Sequence, residues 1–303
     1  MKILVYGAGV IGCNLAKIFY KSVKDVTILA RGNKYLEYKE NGIIFENEIF
    51  HFKKRYHIKT INCLTSHDHY DIIFVCLQFS QIEKIVDILN NNNSKNIVLV
   101  GNNFEIEKYQ SLFINKNLMF GFYYTAGRKE NNKIISINMK KMTIGPYKNN
   151  EFLIDNVFDN TKIKVLKEDN IDDWLKSHAA FILPLAFSCY INNGKLKLLL
   201  KDKEYIDHLL NAFIETFDVL KANGYKILPD GDEEFVRNKK KCLSYIKLMY
   251  KTFIGKIALV DHALSATNEM KELAYAFDRL KQKCDVKTPN YDYLEKYLMN
   301  YGG

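Results

Sequence analysis

Proline is scarce in this chain, with 4 in 303 residues, and tryptophan occurs once. With only 15 glycines besides, a loop-dominated or collagen-like chain is excluded. The six cysteines, at positions 13, 63, 76, 189, 242 and 284, include no C-x-x-C pair. That argues against a zinc site, and several of them sit in apolar segments where cysteine acts as a small hydrophobe. A reducing cytoplasm is the expected compartment. Long apolar runs are missing too. The longest, Ala179 to Phe187, is far short of a membrane span and contains Pro184. Lys2 to Tyr6 runs straight into a glycine motif, which is not the pattern of a secretory signal.

What is present is an ordinary globular composition, 48% hydrophobic and 26% charged. The net charge is +9. Lysines are spread along the chain, asparagine is abundant (Asn90 to Asn93 is unbroken), and Lys239-Lys240-Lys241 stands alone. No basic motif with interleaved aromatics accompanies the charge, so neither a nucleic-acid nor a membrane partner is expected. The excess suits a small anionic ligand.

The first half alternates short apolar runs with helical patterns. Ile3–Tyr6, Val26–Leu29, Ile72–Leu77 and Ile97–Val100 read as strands buried on both faces. Val10–Tyr20 and Gln81–Leu89 read as the helices between them. The succession predicts a Rossmann-type α/β domain over residues 1–167. Segments 118–127, 133–138 and 141–146 read as antiparallel additions at a sheet edge, with a turn at Glu130-Asn131-Asn132. Lys162–Leu166 reads as one last strand. From 168 to 303 the pattern is helical, which predicts an all-α domain. Its helices are expected at Ile171–Ile191 with a kink at Pro184, at Tyr205–Ala222, Phe235–Met249 and Asp261–Lys283, and after Thr288-Pro289.

Gly7-Ala8-Gly9-Val10-Ile11-Gly12 is G-x-G-x-x-G between a strand and a helix. That context makes it a dinucleotide-binding turn, in which the glycines permit the bend, the close approach of a pyrophosphate and tight helix packing. The end of the second strand chooses the cofactor. An NAD site places a carboxylate there, whereas Leu29-Ala30-Arg31-Gly32-Asn33-Lys34 has none, and Arg31 can pair with the 2′-phosphate of NADP. Gln78 and Asn102 fall after two further strands, where ligands bind in such sheets. Asn102 and Asn103 serve equally well as turn residues.

The stretches Lys2–Gly12, Val26–Gly32 and Glu40-Asn41-Gly42-Ile43 resemble ketopantoate reductases, over nearly the whole chain. The resemblance implies an N-terminal Rossmann domain, a helical domain for substrate and dimerisation, an active site in the cleft between them, and NADPH-dependent reduction of ketopantoate to pantoate in pantothenate synthesis. It places Arg31 on the family's 2′-phosphate arginine and Asn102 on a strand-end asparagine. Trp174-Leu175-Lys176 matches the family's W-x-K, whose lysine is the general acid. Glu269 matches its substrate-binding glutamate, counted back from Val286-Lys287-Thr288-Pro289. The chain departs from the family at Gln78, where a lysine is usual, and at Ala180 and Pro184, where asparagines are usual. Reduction of another 2-oxo acid or an imine, or non-catalytic NADP binding, therefore stays open. If Asp261–Lys283 is one helix, His262 and Glu269 share a face with Ser265 between them, and the three can line a substrate pocket. A structural role for His262 and for His178 is the alternative. No metal site is expected.

Overall fold

The computed structural model describes residues 1–47, 51–130 and 132–302. The chain divides into two compact units, Met1–Ile171 and Asp172–Gly303. The first carries β1 (Lys2–Tyr6), α1 (Val10–Lys21), β2 (Asp25–Leu29), α2 (Asn33–Asn41), β3 (Ile43–Glu46), β4 (Lys53–Tyr56), β5 (Lys59–Ile61) and β6 (Ile72–Val75). Then come α3 (Phe79–Ile82), a 3₁₀ turn (Glu83–Ile85), α4 (Val86–Asn91), β7 (Asn96–Val100), α5 (Ile106–Leu112), β8 (Asn117–Glu130), β9 (Lys133–Gly145), α6 (Glu151–Phe158) and β10 (Lys164–Lys167). The ten strands form one mixed sheet in the order β4-β3-β9-β8-β7-β6-β1-β2-β5, with β10 on β9.

The four apolar runs are parallel neighbours at the centre, with β1 between β2 and β6 and β7 beyond β6. They are buried almost completely, as continuous apolar strands must be when both sheet faces are covered. Phe19 of α1 packs on Phe74 of β6 and Phe158 of α6, with ring centroids 5.3 and 5.7 Å away. Burying each such ring contributes about 1.5–3 kcal/mol.

The second part of this sheet differs from the expectation. Residues 118–127 lie in β8, which runs parallel to β7 and antiparallel only to β9. Residues 133–138 and 141–146 belong to one long strand, β9, apart from Pro146. The pair is interior, because β3 and β10 cover different halves of β9. Of the turn read at 130–132, residue 131 lies outside the described residues. β3 carries the short apolar run Ile43-Ile44-Phe45, β4 and β5 are short and mostly polar, and the expected helix 81–89 is split by its 3₁₀ turn.

The second unit contains no strand among the described residues. α7 (Ile171–Tyr190) crosses its boundary, followed by α8 (Leu196–Leu199), α9 (Lys203–Ala222), α10 (Asp232–Arg237) and α11 (Lys239–Lys251). After them come α12 (Phe253–Gly255), a π-helical stretch (Lys256–Asp261), α13 (His262–Ser265), α14 (Thr267–Lys281) and α15 (Pro289–Met299). Two expected helices are broken. The segment 235–249 is interrupted at Asn238, whose side chain caps α11 through the N–H of Lys241. The segment 261–283 is interrupted at Ala266. Among the described residues no helix is long and apolar enough to cross a membrane.

Pro184 sits inside α7, which continues through it. A proline cannot donate to the carbonyl four residues earlier, here that of Ala180. The buried hydroxyl of Thr216, from α9, donates to that oxygen at 3.0 Å, sharing its proton with the carbonyl of Phe213. One turn on, Ser188 Oγ donates to the Pro184 carbonyl at 3.0 Å and accepts from Tyr205 Oη, which lies 2.6 Å from Tyr250 Oη. Buried polar groups are costly unless paired, and this network pairs them. Thr216→Val keeps the shape and removes the donor, and is expected to lower unfolding free energy by about 1–3 kcal/mol. Denaturant unfolding of the two proteins checks this, and equal midpoints would show that the hydroxyl does not compensate the proline.

Candidate active site

The carboxyl ends of β1, β2 and β6 converge on a cleft of about 750 Å³ in the first unit. Gly7, Ala8, Gly9, Arg31 and Gln78 line it together with Lys34. Val10, Ile11 and Gly12 lie behind the rim in the first turn of α1. Asn102 follows β7, outside this lining, and is half-buried with its Oδ1 shut off from solvent. Asn103 is a turn residue: its buried Nδ2 donates to the carbonyl of Leu99 at 3.1 Å.

The glycines of the turn do different work. Gly7 has φ +116°, and a Cβ there would stand 2.5 Å from the Cys76 carbonyl oxygen. A Cβ on Gly12 would fall 1.9 Å from the carbonyl oxygen of Gly7. Both are required by the protein's own packing. Gly9 is not, because its backbone is extended (φ −82°, ψ −170°) and a Cβ there would meet nothing within 4 Å. The missing side chain at Gly9 therefore leaves open space at the N-terminus of α1. That terminus has no side-chain cap and no acidic residue in its first turn. Its free N–H groups and positive dipole end suit a phosphate.

The cleft lining contains two cations, Arg31 and Lys34, and no carboxylate. Lys34 lies in the first turn of α2 and was not singled out from the sequence, although it stands in the same Arg-Gly-Asn-Lys run. The residues fit a dinucleotide with an additional phosphate on its ribose. Cys13, just inside α1, is no nucleophile: burial pushes its thiol up to about 12.

The remaining candidates belong to the second unit. Lys176 is buried on α7, and its ammonium donates to the carboxylate of Asp172, one turn earlier. The same ammonium lies 4.6 Å from the Tyr225 ring centre. Asp172 was missed in the sequence, though its i, i+4 spacing to Lys176 is a signal. Glu269 is half-buried in the first turn of α14, where a helix dipole favours a carboxylate. Ser265 is exposed, and its Oγ donates to the carbonyl of His262. His262, Ser265 and Glu269 do not lie on one continuous helix, because the helix expected over 261–283 breaks at Ala266 between α13 and α14.

His178 stacks on Trp174, with ring centroids 5.2 Å apart and planes 8° from parallel. Burial, reinforced by the neighbouring His262, pushes its pKa down to about 4. The unfolded chain, with an ordinary value of 6.5, takes up a proton that the folded chain refuses. Stability is therefore full above 6.5, declines as the pH falls through that value, and the loss levels off below about 4.

Two outcomes follow for this architecture. Gly9→Ala is expected to fold with stability within about 0.5 kcal/mol of the parent, whereas Gly12→Ala loses about 1–3 kcal/mol or more by overpacking. Thermal melts separate the two, and equal losses would mean that Gly9 is also structural. His178→Phe preserves the ring stack without the titrating nitrogen. Its melting temperature is expected to fall less than the parent's between pH 6.5 and pH 4, and parallel curves would show that His178 is not the group responsible.

Residues 3–149 match the family model described as ketopantoate reductase PanE/ApbA. Among curated proteins no relative matches the sequence. The fold is similar to that of a D-mandelate dehydrogenase solved with NADH and anilino(oxo)acetate, at TM-score 0.78 and 14% identity over 99% of this chain and 97% of that one. It is similar to a 2-dehydropantoate 2-reductase from Geobacter metallireducens, at TM-score 0.77 and 16% identity over 99% of each chain. A dimeric ketopantoate reductase from Staphylococcus aureus is similar at TM-score 0.74 and 13% identity, again over 99% of each. Residues 3–149, most of the first unit, thus match the ketopantoate reductase PanE/ApbA family, and the fold of the whole chain is similar to that of these reductases.

Proposed function

We propose that the chain is an NADPH-dependent reductase of a 2-oxo acid, with ketopantoate as its first substrate and pantothenate synthesis in the cytoplasm as its setting. The observation that carries the cofactor half is the cleft at Gly9, with open space over an uncapped helix N-terminus beside Arg31 and Lys34 and no carboxylate in its lining. NADPH supplies a hydride when bound. Gly7 to Gly12 bend the backbone so that the α1 amides would hold the pyrophosphate. Arg31 and Lys34 would hold the 2′-phosphate, and Gln78 and Asn102 would contribute further polar contacts to the cofactor. The helical unit contributes the substrate groups and the surface for a homodimer.

Reduction of a ketone builds negative charge on the carbonyl oxygen. Lys176 stabilises that charge and delivers its proton, leaving a neutral amine that solvent reprotonates. Asp172 keeps the ammonium oriented until then. Glu269 accepts a hydrogen bond from a substrate hydroxyl, and His262 and Ser265 complete the substrate contacts. A second reading keeps the chemistry and changes the acid. Ala180 and Pro184 are buried and apolar where the family resemblance leads one to expect asparagines, which favours a 2-oxo acid with an apolar side chain.

The test is NADPH oxidation followed by absorbance, with ketopantoate and a panel of apolar and aromatic 2-oxo acids. Lys176→Ala is expected to lower kcat by about 10²–10⁴ with little change in NADPH binding. Arg31→Ala is expected to raise the KM for NADPH tenfold or more and leave that for NADH nearly unchanged. Turnover with an apolar acid and none with ketopantoate selects the second reading. NADPH binding without oxidation of any acid would leave a non-catalytic binding protein.

A further inference from the structure

The C-terminal half of α1 borders a second recess, of about 510 Å³, which shares no lining residue with the dinucleotide cleft. Five lysines line it: Lys17 and Lys21 from α1, Lys54 from β4, Lys140 from β9, and Lys162 just before β10. The floor is apolar, built from Ile18, Phe45 and Tyr56. Phe45 and Tyr56 meet edge to face with centroids 5.7 Å apart. The volume falls within the range of small-molecule sites.

Among the described residues the charges of this recess are not balanced from within. Glu46 is its one described carboxylate, and it is already engaged by Lys133 at 2.8 Å, His51 at 3.2 Å and Lys53 at 3.9 Å. Among the described residues no ion pair reaches Lys21, Lys54, Lys140 or Lys162. Lys17 is held in place without a carboxylate. Its Nζ donates to Asn14 Oδ1 at 3.0 Å and lies 3.6 Å from the Phe45 ring centre. Asn14 is fixed in turn by Nδ2 bonds to the Val10 carbonyl and to Ser136 Oγ, both at 2.9 Å. Burial, with Lys21 and Lys140 acting in the same direction, pushes the Lys17 ammonium down to about 8. The C-terminus of α1 offsets only about half a charge. Five lysines against one engaged carboxylate, around a polar-walled recess with Ile18, Phe45 and Tyr56 in its lining, leave an excess of positive charge among the described residues that a multiply charged anion would balance.

We propose that this recess binds a small phosphate ester with a planar apolar body, the phosphate meeting Lys17, Lys21, Lys140 and Lys162 and the body lying against Phe45 and Tyr56. A dianion fits better than a single carboxylate, because one phosphate oxygen can reach each of several ammonium groups. The site is independent of the reductase reading, since it neither uses nor touches the Gly7 turn.

Isothermal titration of the full-length protein with phenyl phosphate, at low ionic strength and with inorganic phosphate alongside, tests it. One equivalent of phenyl phosphate is expected to bind, more tightly than phosphate. Lys140→Gln/Lys162→Gln changes two exposed side chains and is expected to weaken binding about tenfold without moving the melting temperature. Lys17→Met is expected to weaken it further. Arg31→Ala, which alters only the dinucleotide cleft, is expected to leave it unchanged. Absence of binding, affinity unaffected by the lysine substitutions, or loss in Arg31→Ala would each overturn the proposal. Equal affinity for phosphate and phenyl phosphate would overturn the apolar half of it.

Discussion

The approach of α1 to the turn after β1 is the constraint on which the first unit depends. A Cβ on Gly12 would stand 1.9 Å from the Gly7 carbonyl oxygen, so the helix can lie this close only because position 12 is glycine, while Gly7 is held to glycine by its φ of +116° and the Cys76 carbonyl. That closeness seats Leu15 and Phe19 in the core and sets the helix axis against β1 and β6. It also aims the uncapped N-terminus of α1 at the cleft. Fold and anion-binding capacity thus come from one steric fact. Gly9, between the two, is free of that constraint, so packing does not account for the glycine there.

The helical unit is organised around a different problem. Pro184 denies the Ala180 carbonyl its donor within a long buried helix, and Thr216 from α9 supplies another. The hydroxyls of Ser188, Tyr205 and Tyr250 form a second buried chain beside it. Polar groups of this kind are tolerated inside a core only as a closed set. The same helix carries Lys176 in an ion pair with Asp172, so the segment that presents the candidate acid is itself fixed by interhelical hydrogen bonds. His178, neutral on Trp174, adds to the packing rather than to the charge of this region.

The parallel centre of the sheet was legible because its strands are unbroken apolar runs, a pattern that leaves little choice of environment. The Gly7–Gly12 turn and Arg31 were legible because local chemistry defines them. Strands β4 and β5 were not, since Lys53 to Tyr56 and Lys59 to Ile61 are held by pairing with other strands and not by their own hydrophobicity. The direction of β8 was misread for the same reason: β7 lies beside it only after a crossover through α5. Helix breaks at Asn238 and Ala266 were also hidden, because the apolar spacing continues through them. The second break removed the basis for placing His262 and Glu269 on one face.

The sequence by itself determined the α/β-then-α order, the dinucleotide turn and the absence of an acid after β2. Each of these follows from residues close together in the chain, where sterics and periodicity act locally. Only the tertiary structure decided that Gly9 faces open space while Gly12 does not, that Thr216 answers Pro184, and that five lysines from α1, β4, β9 and the segment before β10 surround one recess. Those facts depend on which distant segments meet, and a pairwise contact leaves no periodic trace in either of its partners.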